Sequence, residues 1–208
     1  SLSNNDAGTS NTIFGKSAGA SLDAGSNFNT FIGENVSDAS MNDAINNVGV
    51  GYQALSGLTS GDYNVAVGFE ALKSNTTGEG NVAIGNGALD ANTTGDVNVA
   101  IGVDALGSYS GSYSVAIGRE ALRDAGGGNG HTAIGLGALA AITSGVNNTA
   151  VGYVAGNDIT SGNYNTLMGY DAGSKLTNGD ASVFIGQGAG KVHVTGNRNI
   201  AIGHNAMV

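Results

Sequence analysis

The chain has 208 residues, with 37 glycines, no proline and no cysteine, and its formal net charge is −9 from 16 acidic and 7 basic residues. Without cysteine it can form neither a disulfide framework nor a thiolate metal site, and an acidic chain without basic runs is not typical of nucleic-acid-binding proteins. No stretch reaches the roughly 18 apolar residues of a membrane-spanning helix, so we expect no membrane insertion in this segment.

One short sequence recurs along the whole chain and is clearest in residues 81–85, which read NVAIG. Aligned on its last residue, the anchor glycine, twelve copies follow one another at steps of 16 to 18 residues, most of them 17. The anchors are Gly15, Gly33, Gly51, Gly68, Gly85, Gly102, Gly118, Gly135, Gly152, Gly169, Gly186 and Gly203. A period this constant is typical of a solenoid, in which each repeat contacts only its neighbours. The sequence therefore predicts an all-β parallel β-roll (β-solenoid) of about twelve 17-residue coils.

This roll is expected to occupy residues 1–208 as a single repeat domain. The absence of proline agrees with that expectation, because every backbone N–H is then available for hydrogen bonds between coils. The chain begins at Ser1 without methionine and stops at Val208 inside a twelfth repeat. We interpret it as a fragment of a longer fibre chain.

Each repeat contains a short hydrophobic alternation, whose positions are numbered here from the anchor glycine, so that −1 is the residue before it. Position −1 is apolar in every repeat and position −3 is always β-branched, which favours a pleated strand. We expect these two columns to face the interior, with Ile84 and Ile101 as core anchors. The asparagine at −4 and the alanine at −2 would then face outward, where small residues permit another surface to approach. A second short strand and two turns would complete the coil.

Asparagine occupies position −4 in nine repeats, including Asn81 and Asn98, and Ser114, His131 and Ser182 replace it in the other three. Coils stacked about 4.8 Å apart place identical amides on top of one another, where they can hydrogen-bond along the axis. We therefore predict a polar ladder. The alternative is that asparagine merely favours the turn before the strand.

Glycine is fixed at two positions of the repeat. Anchors such as Gly68, Gly85 and Gly102 end the alternation, and a second glycine recurs seven residues earlier, as at Gly8 and Gly61. A glycine fixed in a turn usually marks a positive φ, which costs other residues about 1 kcal/mol. We therefore expect left-handed backbone at position −7.

The residues at positions −2 and +4 vary in size in opposite directions. Such pairs include Ala83 with Leu89, Ala116 with Leu122, Leu167 with Gly173 and Phe184 with Gly190. Only Ala150 with Gly156 breaks the rule, and Leu167 from the next coil could fill that gap. Because close-packed interiors respond to a single methylene, the compensation predicts that both columns line one shared space, within a chain or between chains.

The repeat resembles two groups of known proteins. SVAIG at residues 114–118 and TAIG at residues 132–135 resemble the head repeats of trimeric autotransporter adhesins of the YadA type. NTAVGY at residues 148–153, and NVAVG at residues 64–68 with its following turn, are similar to repeats of bacteriophage tail fibres. The resemblance implies a left-handed roll, a homotrimer about a common axis, and an extracellular location on a virion or a bacterial surface. The autotransporter head unit is shorter, so the second half of this coil departs from it.

No catalytic or cofactor-binding residue is predicted. The three histidines, His131, His193 and His204, fall at three different positions of the repeat and form no cluster. A nucleophile, its base and an orienting acid must lie in contact, and this scatter does not indicate such a group. We therefore expect that the chain is not an enzyme.

Three acidic residues, Asp62, Glu79 and Asp96, occupy position −6 in successive coils. Like charges about 5 Å apart repel by roughly 1 kcal/mol even in water, and a bound Ca²⁺ would relieve this repulsion. A cation stripe along these residues is one interpretation. The favoured alternative is three solvated carboxylates and no metal site.

The sequence predicts a structural segment of a trimeric fibre, which is tail-fibre-like or an adhesin shaft and holds or forms a region for host or surface attachment. Trimerisation would cover the alanine column at Ala66, Ala83 and Ala100. The alternative is an adhesin head whose roll surface binds a host glycan or matrix protein, to which the aromatics at Tyr52, Phe69, Tyr153 and Tyr170 would contribute unless they only pack locally. A depolymerising tailspike, which needs paired acidic residues in a groove, is the least favoured interpretation.

Overall fold

The computed structural model describes residues 2–3, 9–192 and 195–208, which contain β-strands and turns and no helix. The chain divides into two compact units, Ser1–Ile101 and Gly102–Val208, and each unit is described by itself. The first unit contains β1 (Leu2–Ser3), β2 (Thr12–Phe14), β3 (Thr30–Ile32), β4 (Val48–Val50), β5 (Val65–Val67), β6 (Val82–Ile84) and β7 (Val99–Ile101). The second unit contains β8 (Val115–Ile117), β9 (Thr132–Ile134), β10 (Thr149–Val151), β11 (Thr166–Met168), β12 (Val183–Ile185) and β13 (Ile200–Ile202).

Within each unit the long sheet is parallel and in register. Successive strands from β2 to β7 pair position for position, so that Ala66 lies beside Ala83 and Ala83 beside Ala100. The strands from β8 to β13 pair in the same way. Only β1 is antiparallel, and it pairs with β2. The predicted all-β parallel solenoid with a 17-residue coil is therefore confirmed in both units.

Each described coil contains one regular strand, so the expected second strand is wrong. After the anchor, positions +2 and +4 both have left-handed backbone, with φ of 55° at Glu70 and 50° at Leu72. A chain that enters the left-handed region at every second residue curls into a turn and cannot extend. Stacking continues through this turn, where the Leu72 N–H donates to the Ala88 carbonyl at 3.0 Å.

The two faces of the strand are the reverse of the prediction. The alanine column points inward, and Ala83 is fully buried together with the Asn81 side chain. The expected core anchors point outward, and Ile84 and Ile101 are 40% and 37% exposed. A strand of three residues has its middle side chain on one face and its two outer side chains on the other, so closing the coil around Ala83 leaves the −1 and −3 columns outside.

The reversal follows from the volume inside the coil. Besides the alanine at −2, the interior already holds the alanine at +3 and the leucine at +4, and Ala88 and Leu89 are both fully buried. Interiors are packed to crystal-like density, so a 17-residue coil has no room for valine and isoleucine from the strand as well. Hydrophobicity alone pointed to the larger residues, but the enclosed volume decides the outcome.

The size compensation between positions −2 and +4 is confirmed as packing within one chain. A Cβ built on Gly190 would lie 2.5 Å from Cδ2 of Phe184, so the ring occupies the space that leucine fills in other coils. A Cβ on Gly156 would lie 2.5 Å from Cδ1 of Leu167, which confirms that the next coil fills this gap.

Position −7 is glycine in most repeats because neighbouring backbones approach closely there, and not because of the positive φ that we expected. All described members except Gly196 lack a positive φ, so that prediction is wrong for them, and Gly8 lies outside the described residues. A Cβ on Gly61 would overlap the carbonyl oxygen of Gly78, and one on Gly78 would lie 2.5 Å from that of Gly95. Close approach of neighbouring backbones therefore requires glycine here.

Candidate functional site

The anchor position requires glycine for two reasons, a positive φ and the close approach of a neighbouring backbone. Gly68, Gly85 and Gly102 have φ of 141°, 139° and 134°, a region that side chains rarely allow. A Cβ on Gly68 would also overlap the carbonyl oxygen of Gly85. These residues therefore serve the architecture, and they bring no side chain to a site.

The predicted polar ladder at position −4 is present, and it is buried. The N–H of Asn81 donates to Oδ1 of Asn64 at 3.0 Å, and the N–H of Asn98 donates to Oδ1 of Asn81 at 3.0 Å. The amide nitrogen of Asn81 also donates to the Gly95 carbonyl at 2.8 Å, so the side chain links three coils. Buried amides with every hydrogen bond made fix the register of the stack, because a slip would leave polar groups unpaired.

In the second unit the ladder continues through a serine and a histidine. The Ser114 Oγ accepts from the His131 N–H at 3.0 Å, and Nδ1 of His131 accepts from the Asn148 N–H at 3.3 Å. The Tyr109 hydroxyl fills the space beside the short serine, 2.6 Å from Ser114 Oγ and 2.6 Å from the Gly128 carbonyl oxygen. Burial raises the pKa of this phenol. Serine and histidine retain the acceptor that the position needs.

His131 is the histidine of the ladder, and its ring is buried. Its Nε2 is buried without a hydrogen-bond partner among the described residues. Burial lowers the pKa of the imidazole to about 4, against a weaker opposing effect of the Gly145 carbonyl. The ring is therefore neutral at physiological pH. His204 lies in the turn after β13, and His193 lies outside the described residues.

The acidic residues at position −6 have a structural role that the sequence did not reveal. Oδ1 of Asp62 accepts from the Ile45 N–H at 2.7 Å, and Oδ1 of Asp96 accepts from the Glu79 N–H at 2.9 Å. Asparagines at the same position do likewise in the second unit, where Asn129 accepts from the N–H of Ser112. In residues 9–192 and 195–208, no three histidine or acidic side chains gather where they could hold a metal ion. Position −6 therefore links some successive coils but not all of them, because Ile45 and Val146 bring no side-chain acceptor and Glu79 takes part through its N–H.

The outward face of the parallel sheet is apolar along both units. It is formed by position −1, which is apolar in every coil, and position −3, which is valine, isoleucine or threonine. We refer to both positions as the sheet face, and several of its members at position −1 are exposed. These members are Phe14, Ile32, Val67, Ile84 and Ile101 in the first unit and Ile117, Ile134, Met168 and Ile202 in the second. A contiguous apolar strip of this kind is typical of an association surface.

Aromatic residues at position +1 stack on one another. The rings of Tyr52 and Phe69 are 5.4 Å apart at 17°, and those of Tyr153 and Tyr170 are 5.2 Å apart at 6°. Local packing therefore accounts for one face of each ring, which leaves fewer faces for a sugar than four separate aromatics would offer.

One cavity stands out in the second unit, with a volume of about 240 Å³ across three successive coils. Two ion pairs cross it: Lys175 Nζ lies 2.8 Å from Asp158 Oδ2, and Lys191 Nζ lies 2.6 Å from Asp171 Oδ2. Its lining consists of Val154, Asn157, Asp158, Asp171, Ser174, Lys175 and Lys191. These residues lie at positions +2, +5 and +6 of three successive coils, where the charge changes from coil to coil and gives no repeating signal in the sequence.

No protein-family model matches the chain, and comparisons with curated proteins and with solved structures found no match either. None of the described residues forms a helix that could span a bilayer. The similarity to autotransporter heads and tail fibres thus remains an interpretation of the repeat sequence.

Proposed function

We propose that this chain is a structural segment of a trimeric fibre, exposed on a virion or a bacterial surface, that holds an attachment region away from its base. The observation that carries the proposal is the sheet face, an apolar strip that repeats in register in each unit while the alanine column is buried. We expected the alanine column to form the surface between chains, and the sheet face, which has larger side chains, takes its place.

The sheet face supports association between parallel copies. Its side chains recur at the spacing of the coils, so a second copy aligned in the same direction presents the same periodic surface. Exposed apolar residues at position +1, such as Val103 and Leu136, extend this surface beyond the strand. Three chains packed around one axis bury these columns together. The number three comes from the resemblance of the repeat to trimeric fibres.

The ladders support a mechanical role. Within each unit, successive coils are held together by strand pairing and by the −4 ladder, and some of them also by side-chain bonds at position −6. Backbone that is hydrogen-bonded in every coil resists local opening, which is what proteolysis requires. A rigid, protease-resistant shaft is the function that such a stack serves best.

Sedimentation velocity of the purified chain tests the proposal. We expect a species with three times the mass of one chain. The double variant Ile84→Lys and Ile101→Lys should sediment as a monomer, because six lysines would meet at the trimer interface. The double variant Thr77→Lys and Thr94→Lys adds the same two charges at exposed turns outside the sheet face and should leave the trimer intact.

A monomeric wild-type chain would overturn the proposal, and a stable dimer would exclude the trimer. A trimer that persists in the double lysine variant would show that another surface holds the chains together. Circular dichroism of each variant establishes that the strands are retained.

A depolymerising role finds no support in the cavity of the second unit. Glycoside hydrolysis requires one carboxyl group as acid and another as nucleophile or base. Asp158 and Asp171 both line the cavity, but each already holds a lysine ammonium. We therefore propose no catalytic function for this chain.

A further inference from the structure

We propose that the cavity lined by Asp158, Asp171, Ser174, Lys175 and Lys191 binds a single pyranose ring of a glycan. This inference goes beyond the structural role and does not depend on the oligomeric state, because the residues that form the cavity all belong to one chain and one unit.

The volume of the cavity sets the size of the ligand. A water molecule takes about 30 Å³ in the liquid, so 240 Å³ corresponds to roughly eight waters. This space is about the size of one sugar ring, and a larger ligand would extend out of its open side. Val154 contributes an apolar wall, and Asn157 contributes a side-chain amide whose nitrogen donates to the Gly137 carbonyl at 3.0 Å.

The charges select a neutral, hydroxyl-rich ligand. The two lysines and two aspartates balance one another in two ion pairs, so an added cation or anion would have to compete with a charge already in place. A sugar hydroxyl donates to a carboxylate and accepts from an ammonium without breaking either pair. Hydrogen bonds to charged groups are the stronger ones, which makes this lining well suited to a polyol.

The ion pairs of the cavity run between coils, whereas two pairs at equivalent positions elsewhere lie within a coil. Glu120 pairs within its own coil with Arg123 at 3.0 Å, and Glu70 pairs with Lys73 in the same way. At the cavity, Lys175 and Lys191 each reach to an aspartate of an earlier coil. The charges that line the cavity therefore come from three adjoining coils.

Ser174 provides a second, independent indication of a ligand. It lines the cavity and is 4% exposed, yet its buried Oγ has no hydrogen-bond partner among the described residues. Buried hydroxyls are almost always paired, and an unpaired one costs about 1–3 kcal/mol. A ligand hydroxyl that enters the cavity would supply the missing partner after a small rotation of the serine side chain.

The stacked tyrosine pair adjoins the cavity. Tyr153 and Tyr170 directly precede the lining residues Val154 and Asp171. Both rings are about half exposed, so their hydroxyls and the free outer ring face of the stack can contact a sugar at the rim.

Methyl-labelled NMR tests the site. The chain is labelled at valine methyl groups and titrated separately with the methyl glycosides of glucose, galactose, mannose and N-acetylglucosamine. We expect a saturable shift of the Val154 methyl signals with at least one glycoside. Lys191→Ala and Ser174→Ala should each weaken that binding, by about tenfold for the lysine.

Arg123→Ala is the matched control, because it removes an exposed ion pair of the same unit outside the cavity and should leave the affinity unchanged. Ser174→Ala should not lower the melting temperature and should raise it, since it removes a buried hydroxyl that has no partner among the described residues. The proposal is overturned if no glycoside shifts Val154 at millimolar concentrations, or if both cavity variants bind like the wild type. Neither result bears on the sedimentation experiment, so the two proposals fail separately.

Discussion

At position −4 the stack requires a side-chain acceptor that reaches the backbone N–H of the following coil. Asparagine, serine and histidine all provide one, and each is found bonded in this way, for example at Asn81, Ser114 and His131. The three replacements seen in the sequence are therefore equivalent in hydrogen bonding, although they differ in size. Tyr109 compensates for the smallest of them with its own hydroxyl.

His131 makes the stability of the second unit dependent on pH. The folded chain holds the imidazole neutral, with a pKa of about 4 against 6.5 for an ordinary histidine. Between these values the unfolded chain binds more protons, so stability is fully present above about pH 6.5 and is lost as the pH falls towards 4. The loss amounts to roughly 3 kcal/mol, at 1.36 kcal/mol for each pKa unit.

Denaturant unfolding at pH 7 and pH 4.5 measures this effect. His131→Asn restores the usual ladder residue and should remove most of the difference between the two pH values, beyond what the carboxylates contribute in both proteins. An equal pH dependence in the variant and the wild type would show that the protonation of His131 is not coupled to folding.

The coil is the element of this protein, and its interior is shared between the strand and the turn that follows. Leu89 has a φ of 52°, so the turn accepts a strained leucine in order to fill the space beside Ala83. The strain destabilises the coil by about 1 kcal/mol, and burial of a leucine side chain stabilises it by more than that. In the coil of Phe184 the ring fills the space and the turn residue is Gly190.

A double-mutant cycle tests this shared space. Leu89→Gly should destabilise the chain by a few kcal/mol through the cavity it leaves, less the relief of backbone strain. Ala83→Phe alone overpacks the coil. The two changes together should recover at least about 1 kcal/mol relative to their sum, as the pair Phe184 and Gly190 does naturally. Additivity within a few tenths of a kcal/mol, measured by urea unfolding, would contradict the contact.

At the scale of the whole molecule, the coils of each unit form a one-dimensional series. From β2 to β7 and from β8 to β13, each strand residue pairs with its equivalent 17 or 18 positions away, as Val65 does with Val82, so neighbouring coils of a unit are in contact. The stability of such a stack is close to a sum of coil terms and neighbour terms. Removing one complete coil should therefore preserve every column.

Deletion of residues 69–85 tests this modularity, because it joins Gly68 to the segment after the next anchor and keeps the register of all columns. Far-UV circular dichroism and thermal melting should show a folded β protein with moderately lower stability. Deletion of residues 69–77 is the control: it removes about half a coil, including Leu72, and should prevent the coil from closing. Equal losses of structure in the two deletions would contradict the one-dimensional description.

The sequence by itself determined the features that repeat: the solenoid, the strand position, the in-register stack, the −4 ladder and the exchange of size between positions −2 and +4. Each of these features depends on the residue type of a column and on its spacing, so the same pattern recurs along the twelve repeats. The exchange of side-chain size between Phe184 and Gly190 also indicates which column is interior, because only residues packed in one space need to compensate for each other's volume.

Tertiary structure decided which face of the strand lies inside, why position −7 is glycine, what Asp62 and Asp96 bind, and where the cavity opens. Ile84 and Ala83 are both apolar, so alternation cannot say which of them faces the core. The choice depends on the volume that a closed coil encloses and on how closely neighbouring backbones approach. Those quantities exist only once the chain has turned back on itself, and no column of the sequence contains them.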